Sequence, residues 1–374
     1  MGPHRRRGHD GDAARAAILV RGLTGGALED RRMEPTARRR LGGTALEVTA
    51  LGFGAAPIGG FRATMPDRDA VSVVDEAWDQ GVRLFDTSPF YGYGRSELRV
   101  GAALRDRRRE DFVLSTKIGR VMRPLRPGEP PPEGMRQGGL PGFVPAFDYG
   151  YDGIMRSVEQ SCVRLGIARL DVLLVHDVDF WTIRDREVLE QRFRMVMDGG
   201  YRALDELRRS GVVGAIGCGL NEAEMCLRFA RAGDFDCMLL AGRYTLLEQG
   251  AVAELLPFCE SRGVGIILGG PFNSGILAGP VREGAWHDYA PAPPALLDRA
   301  RRIEAVCSRH GVPLPAAALQ FPLAHPAVAS VIPGALAARE VAENAAHLRR
   351  PIPPALWAEL RHEGLLDPAA PTPA

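Results

Sequence analysis

Lysine is almost missing from this chain: of its 47 lysines and arginines, 46 are arginine and Lys117 alone is lysine. Net charge is missing too, at +1 with the histidines neutral. That gives no electrostatic case for a nucleic-acid or membrane partner. No stretch approaches the ~18 uninterrupted apolar residues of a membrane-spanning helix. The early apolar run Ala16–Val20 is closed by Arg21 and is too short for the core of a secretory signal. Cysteine is sparse, six residues at positions 162, 218, 226, 237, 259 and 307, with no C-x-x-C pair and no His/Cys ligand spacing. These cysteines sit in apolar periodic segments, which reads as reduced core thiols of a cytoplasmic protein, with no metal. No G-x-G-x-x-G follows the first apolar strand to open a helix, which disfavours a doubly wound nucleotide fold.

What remains is an ordinary globular composition in 374 residues, 45% hydrophobic and 25% charged, enough for one large core. Residues 1–38 are rich in arginine and lack a sustained apolar period, so they read as a disordered extension. Met33 lies just ahead of the first organised strand, and a start at that residue and a functional basic arm both remain open. A disordered tail is expected at 368–374. Between them, at 39–367, short apolar runs alternate with amphipathic stretches. The strand candidates are Thr49–Gly54, Val82–Phe85, Phe112–Thr116, Leu170–Val175, Val212–Gly217, Asp236–Leu240, Val264–Leu268 and Val328–Ile332. Helical periodicity marks Ala70–Asp79, Ser96–Arg105, Gly153–Leu165, Tyr201–Arg209, Ala223–Arg231, Ala251–Arg262 and Leu296–His310. Short, continuously apolar strands suit a parallel sheet buried on both faces. Eight of them with helices between predict a closed (β/α)8 TIM barrel, a single α/β domain with long βα loops. Two Pro- and Gly-rich insertions, Val121–Tyr151 and Gly279–Pro294, fall after the third and seventh strands. That is the face on which such barrels carry their sites.

Four titratable residues fall at or just past the ends of consecutive strands. Asp86 ends the second, with Tyr91 five residues later; Lys117 ends the third; His176 ends the fourth. A barrel would bring these to one pocket. A tyrosine can donate or accept a proton at a carbonyl oxygen when a nearby ammonium favours its phenolate. Asp86 would hold Lys117, and His176 would orient the substrate oxygen. Singly, each has a plainer reading: Asp86 as a turn cap, His176 as a core histidine, Tyr91 as a packing residue with Tyr93 as its rival. Their joint placement, including the one lysine, favours chemistry. One imidazole and one carboxylate without a thiol make a poor metal set.

The D-x-x-x-x-Y spacing, the strand-end lysine and the strand-end histidine resemble the catalytic tetrad of the aldo-keto reductase family, over residues 38–365. The resemblance implies an oxidoreductase that moves a hydride between a nicotinamide cofactor and a small carbonyl or hydroxyl compound. The run Phe85–Gly94, the long loop after strand three and the segment Gly269–Gly275 resemble a branch of sugar and pyridoxal dehydrogenases. Members of that branch, D-threo-aldose 1-dehydrogenase (L-fucose dehydrogenase) and pyridoxal 4-dehydrogenase, oxidise cyclic hemiacetals to lactones. The family's cofactor contacts carry over to Gly54 and Ala55 near the nicotinamide and Asn221 at its carboxamide, within a residue of register. Gly270, Pro271, Asn273, Ser274 and Gly275 correspond to the pyrophosphate contacts, although an ordinary glycine-rich loop stays open there. Glu343 and Asn344 correspond to the adenine contacts. Three departures stand out. Gly269 replaces the usual stacking tyrosine, the usual carboxamide-binding glutamine falls near Ala241 or Gly242, and the 2′-phosphate clamp falls at Gly334 and Glu340. NAD is therefore expected over NADP, with a sugar, pyridoxal or aldehyde as substrate and an open oligomeric state. Competing readings are a broad NADPH aldehyde reductase and a nucleotide-binding regulatory subunit without turnover.

Overall fold

The computed structural model describes residues 32–60, 64–130 and 142–374. Most of the expected N-terminal extension, residues 1–31, and the middle of the first insertion lie outside the described residues. Eight parallel strands form the central sheet: β1 (Phe53–Gly54), β2 (Leu84–Asp86), β3 (Val113–Ile118), β4 (Val172–His176), β5 (Ala215–Leu220), β6 (Cys237–Ala241), β7 (Gly265–Gly269) and β8 (Val328–Ile332). Backbone bonds from Gly52 N to Val331 O at 2.9 Å and from Gly54 N to Pro333 O at 3.1 Å close β1 onto β8. The result is the (β/α)8 barrel that the alternating pattern predicts, with helices such as Asp67–Asp79, Tyr151–Leu165 and Ala338–Arg349 outside.

Side chains alternate across each strand with a period of two, which sorts the residues of the barrel into two layers. Leu84, Val113, Val172, Leu174, Ala215, Cys237, Leu239 and Ile267 pack together in the interior. Their neighbours Phe85, Leu114, Leu173, Val175, Ile216, Met238 and Ile266 face the helices. Counting on by two from Leu84, Val113 and Val172 leads to Asp86, Lys117 and His176. The same parity that buries the interior layer therefore aims these three side chains inward at the C-terminal rim.

Two departures from the expected strands have local causes. The run Thr49–Gly54 is divided: Glu47–Thr49 pairs antiparallel with Arg38–Arg40 as a hairpin, and only Phe53–Gly54 joins the barrel ladder as a named strand. That hairpin brings Leu41 and Val48 to the interior cluster. The fifth strand starts at Ala215, not Val212. Val212 N and Val213 N instead bond Leu207 O, closing off the helix Tyr201–Arg209, and Val212 stays exposed. At the C-terminus, where a free tail was expected, Ala370 is buried and its carbonyl accepts a bond from Arg361.

Candidate active site

Three consecutive strand ends build the site. Lys117 Nζ donates to Asp86 Oδ1 at 2.5 Å and to Thr87 O at 3.0 Å, and Ser115 Oγ adds a second bond to the same carboxylate oxygen at 2.8 Å. Lys117 is 1% and Asp86 2% exposed. Burial pushes the Asp86 carboxyl above its ordinary value, with Lys117 and Ser115 pulling the other way. The lysine stem needs space on the neighbouring strand. A Cβ at Gly219 would stand 3.0 Å from Lys117 Cε, so a glycine on β5 leaves the channel open.

Tyr91 approaches from the loop after β2. Its ring centroid lies 5.6 Å from Lys117 Nζ and 5.8 Å from the His176 ring, edge to face. The rival tyrosine, Tyr93, packs its ring against Phe90 at 5.9 Å. The loop is held by a backbone-to-backbone contact: a Cβ at Gly92 would stand 2.0 Å from Gly59 O, and Gly92 sits at φ +63°. Burial, followed by the nearby Asp86 and Asp177 carboxylates and Tyr289, raises the Tyr91 hydroxyl well above its ordinary value. A neighbouring ammonium pulls a tyrosine toward phenolate. Burial and the Asp86 and Asp177 carboxylates outweigh that pull, and the phenol form is favoured.

His176 faces the same space. Its Nδ1 lies 2.6 Å from Arg120 Nη1 and 3.2 Å from Ser88 Oγ, and Tyr149 Oη donates to its backbone carbonyl at 2.8 Å. Burial, then Arg120 and Lys117, hold the imidazole well below its ordinary pKa, so it is neutral. Sequence reasoning missed Arg120 and Asp177. Arg120 Nη2 donates to Asp177 Oδ2 at 2.7 Å, and its guanidinium lies over the Phe90 ring at 4.2 Å. The signal was present as charged residues just past two buried strand ends, in Lys117-Ile118-Gly119-Arg120 and His176-Asp177.

The family model for aldo/keto reductases matches residues 50–362. This chain belongs to that family. A pyridoxal 4-dehydrogenase from Microbacterium luteolum is 41% identical over 342 residues, covering 90% of this chain and 99% of that protein. A D-threo-aldose 1-dehydrogenase from a Pseudomonas species is 39% identical over 340 residues, covering 88% and 96%. Among solved structures, the holo form of an aldo-keto reductase from Bacillus halodurans superposes with a TM-score of 0.65 at 25% identity, over 90% of this chain and 97% of that one. Members of this family are nicotinamide-dependent oxidoreductases, and this chain is an oxidoreductase of that family.

The positions expected at the cofactor follow the ends of β1, β5, β7 and β8, with Glu343 and Asn344 in the helix Ala338–Arg349. Ala55 N donates to Asp86 O at 2.8 Å, and Gly54 bridges Gly334. Asn221 Nδ2 donates to Asp177 at 3.2 Å, Asp179 at 3.1 Å and Thr182 at 3.3 Å. What Asn221 can offer a carboxamide is therefore its Oδ1, as acceptor. After β7, Gly270, Asn273, Ser274 and Gly275 have φ of +59°, +44°, +60° and +103° around Pro271. Left-handed residues in such turns gather backbone N–H groups into concavities that suit an anion. Space is open where a Gly275 Cβ would stand, and Asn273 fixes the turn by bonding Gly242 O and accepting from Thr245. This segment fits a pyrophosphate. A side chain at Gly334 is excluded, because its Cβ would stand 2.5 Å from Pro57 Cγ. Glu340 accepts a bond from Leu336 N at 2.8 Å, Glu343 pairs with Arg339 at 3.3 Å, and Asn344 is nearly buried beside Leu51 and Val341.

The Gly59–Gly92 contact makes a test of the loop. Gly92→Ala should lower kcat by about 10²-fold, since small misplacements of a reacting group have costs of that order. Gly279→Ala, where a Cβ meets nothing within 4 Å, should leave kcat unchanged. Equal activity in the two variants would show that the loop does not set the position of Tyr91.

Proposed function

We propose that this protein is an NAD-dependent dehydrogenase that oxidises a cyclic hemiacetal, an aldose or pyridoxal, to its lactone, with Tyr91 as general acid/base. The observation that carries the reading is the gathering of Tyr91, Lys117, Asp86 and His176 around one inward-facing space. Likeness to a pyridoxal 4-dehydrogenase and a D-threo-aldose 1-dehydrogenase over about nine-tenths of the chain supports the substrate class.

Gly54, Ala55 and Asn221 would hold the nicotinamide end and the Gly270–Gly275 turn the pyrophosphate; Glu343 and Asn344 would meet the adenine. When bound, the nicotinamide would supply the hydride acceptor for oxidation and the hydride donor for reduction. The chain's own residues manage the proton. In oxidation the hemiacetal hydroxyl gives its proton to the Tyr91 phenolate as its carbon loses the hydride, leaving the lactone carbonyl. His176, neutral and carrying its proton on Nε2, donates a hydrogen bond to the same oxygen. Lys117 holds positive charge beside the tyrosine, and Asp86 keeps that ammonium in place. A second reading, reduction of an aldehyde to its alcohol, is supported by the raised Tyr91 hydroxyl, because the phenol form is the proton donor that a reduction needs.

Tyr91→Phe should lower kcat by about 10²–10⁴-fold and leave cofactor affinity largely intact, because the hydroxyl acts only in the chemical step. Tyr93→Phe should be near wild type, and the opposite pattern would move the assignment by two residues. The raised Tyr91 value sets the pH dependence. Below that value the phenolate fraction grows with pH, so single-turnover oxidation should climb through pH 6–9 while reduction stays flat. No inflection should occur near 6.5, because His176 is held neutral. An oxidation rate already level at neutral pH would contradict Tyr91 as the base.

NAD should give a higher kcat/KM than NADP. A 2′-phosphate brings roughly −1.5 to −2 charge by analogy with phosphomonoesters, and proteins hold such groups with Arg or Lys. Here Gly334 admits no side chain, Glu340 presents a carboxylate, and Arg339 is engaged by Glu343. Glu340→Gln keeps an acceptor for Leu336 and should move the ratio toward NADP; Glu340→Arg should move it further. Equal or higher efficiency with NADP in the wild type would overturn the preference.

A further inference from the structure

Arg120 is 2% exposed, yet nothing in the proton transfer above uses it. Its guanidinium is fixed from three sides: the Asp177 carboxylate accepts from Nη2 at 2.7 Å, the Phe90 ring lies 4.2 Å away, and the Phe147 ring lies 5.2 Å away. Its remaining terminal nitrogen, Nη1, stands 2.6 Å from His176 Nδ1. A guanidinium has no acceptor lone pair and does not lose its proton in proteins. At this distance Nδ1 must present its lone pair, and the single proton of the neutral ring then sits on Nε2.

We propose that Arg120 is a positioning residue that fixes His176 as the Nε2–H tautomer, so that the ring can only donate a hydrogen bond to the substrate oxygen. The inference rests on the reading of the site given above and deepens it. A histidine free to choose its tautomer would spend part of its time with a lone pair toward the hydroxyl, repelling the oxygen it must hold. The surroundings of His176 agree with a locked ring. Ser88 Oγ, 3.2 Å from Nδ1, accepts from Phe90 N at 3.0 Å, and its hydroxyl proton can share the Nδ1 lone pair that Arg120 engages. Asp177 Oδ1 lies 3.6 Å from Nε2, beyond hydrogen-bond reach, and accepts from Asn221 Nδ2 at 3.2 Å instead. The other charged and titratable groups toward the ring are Lys117 on β3, paired with Asp86, and Tyr91 on the loop after β2. Asp177 thus holds Arg120 with one oxygen and Asn221 with the other, tying the ends of β3, β4 and β5 together around one imidazole.

Nitrogen-15 NMR of histidine-labelled protein, with His176 assigned by comparison with His176→Gln, reads the tautomer without any reaction. The wild type should show a protonated Nε2 and an unprotonated Nδ1. In Arg120→Met the two tautomers should mix, and kcat should fall by about 10–100-fold, the usual loss when the partner orienting an active histidine is removed. NADH affinity should be unchanged. Arg120→Lys keeps a cation that only donates and should restore the Nε2–H form with part of the rate. A wild-type proton on Nδ1 overturns the inference. So does a fall in kcat in Arg120→Met with the tautomer unchanged, or a changed tautomer with full turnover. Should Arg120→Met fail to fold, the wild-type and Arg120→Lys spectra still decide the tautomer. Full turnover in Tyr91→Phe would sink the proton-transfer reading and leave these spectra unaltered, so the two failures are separable.

Discussion

The site depends on an ion pair that water does not reach. Lys117 and Asp86 meet at 2.5 Å, and both are almost fully buried. Taking two such charges out of water has a penalty of several kcal/mol for each ion, offset only by close geometry and further hydrogen bonds. Those bonds are present: Ser115 donates to the carboxylate, and the Thr87 carbonyl accepts from the ammonium. The surrounding sequence follows from the pair. Ser115 must be small and polar on β3, Gly219 must have no side chain on β5, and Ala55 N must bond the Asp86 carbonyl to hold β1 alongside.

Around this pair the charges come in matched couples. Lys117 is set against Asp86 and Arg120 against Asp177, and the uncharged Tyr91 and His176 stand between them. Two neutral groups, each with one proton to place, thus face the same space within a fixed electrostatic frame. Donors arranged before reaction are worth more than donors that must reorient, particularly where water is excluded. The loop glycines act at a longer range. Gly92 against Gly59 sets where the tyrosine stands, and Asn273, bonded to Gly242 and Thr245, sets the turn after β7.

Much of this was legible in the chain itself. The apolar runs located eight strands because both faces of each are buried, and Val328–Ile332 agreed to the residue. Boundaries drifted where apolar residues serve two masters: Val213 is buried, yet its N–H closes a helix before the strand begins. The parity of Asp86, Lys117 and His176 was readable from strand ends alone. The raised Tyr91 value was not, because it reflects first how deeply the folded chain buries the hydroxyl and then the nearby Asp86 and Asp177 carboxylates, which only the assembled site brings together. Arg120 was hidden for a different reason. In a chain with 46 arginines no single one stands out, whereas the one lysine does.

Whether the buried pair exists for chemistry or for folding can be measured directly. Removing one partner of a buried pair typically has a cost of about 3–5 kcal/mol, whereas replacing both with apolar residues of similar volume is often neutral or stabilising. Lys117→Met alone should therefore lower Tm sharply, and Asp86→Leu combined with Lys117→Met should bring Tm back toward the wild type. If the pair serves proton transfer at Tyr91, the refolded double variant should still bind NADH but show no measurable turnover. A double variant with recovered Tm and wild-type turnover would contradict the account, leaving Lys117 and Asp86 as packing alone.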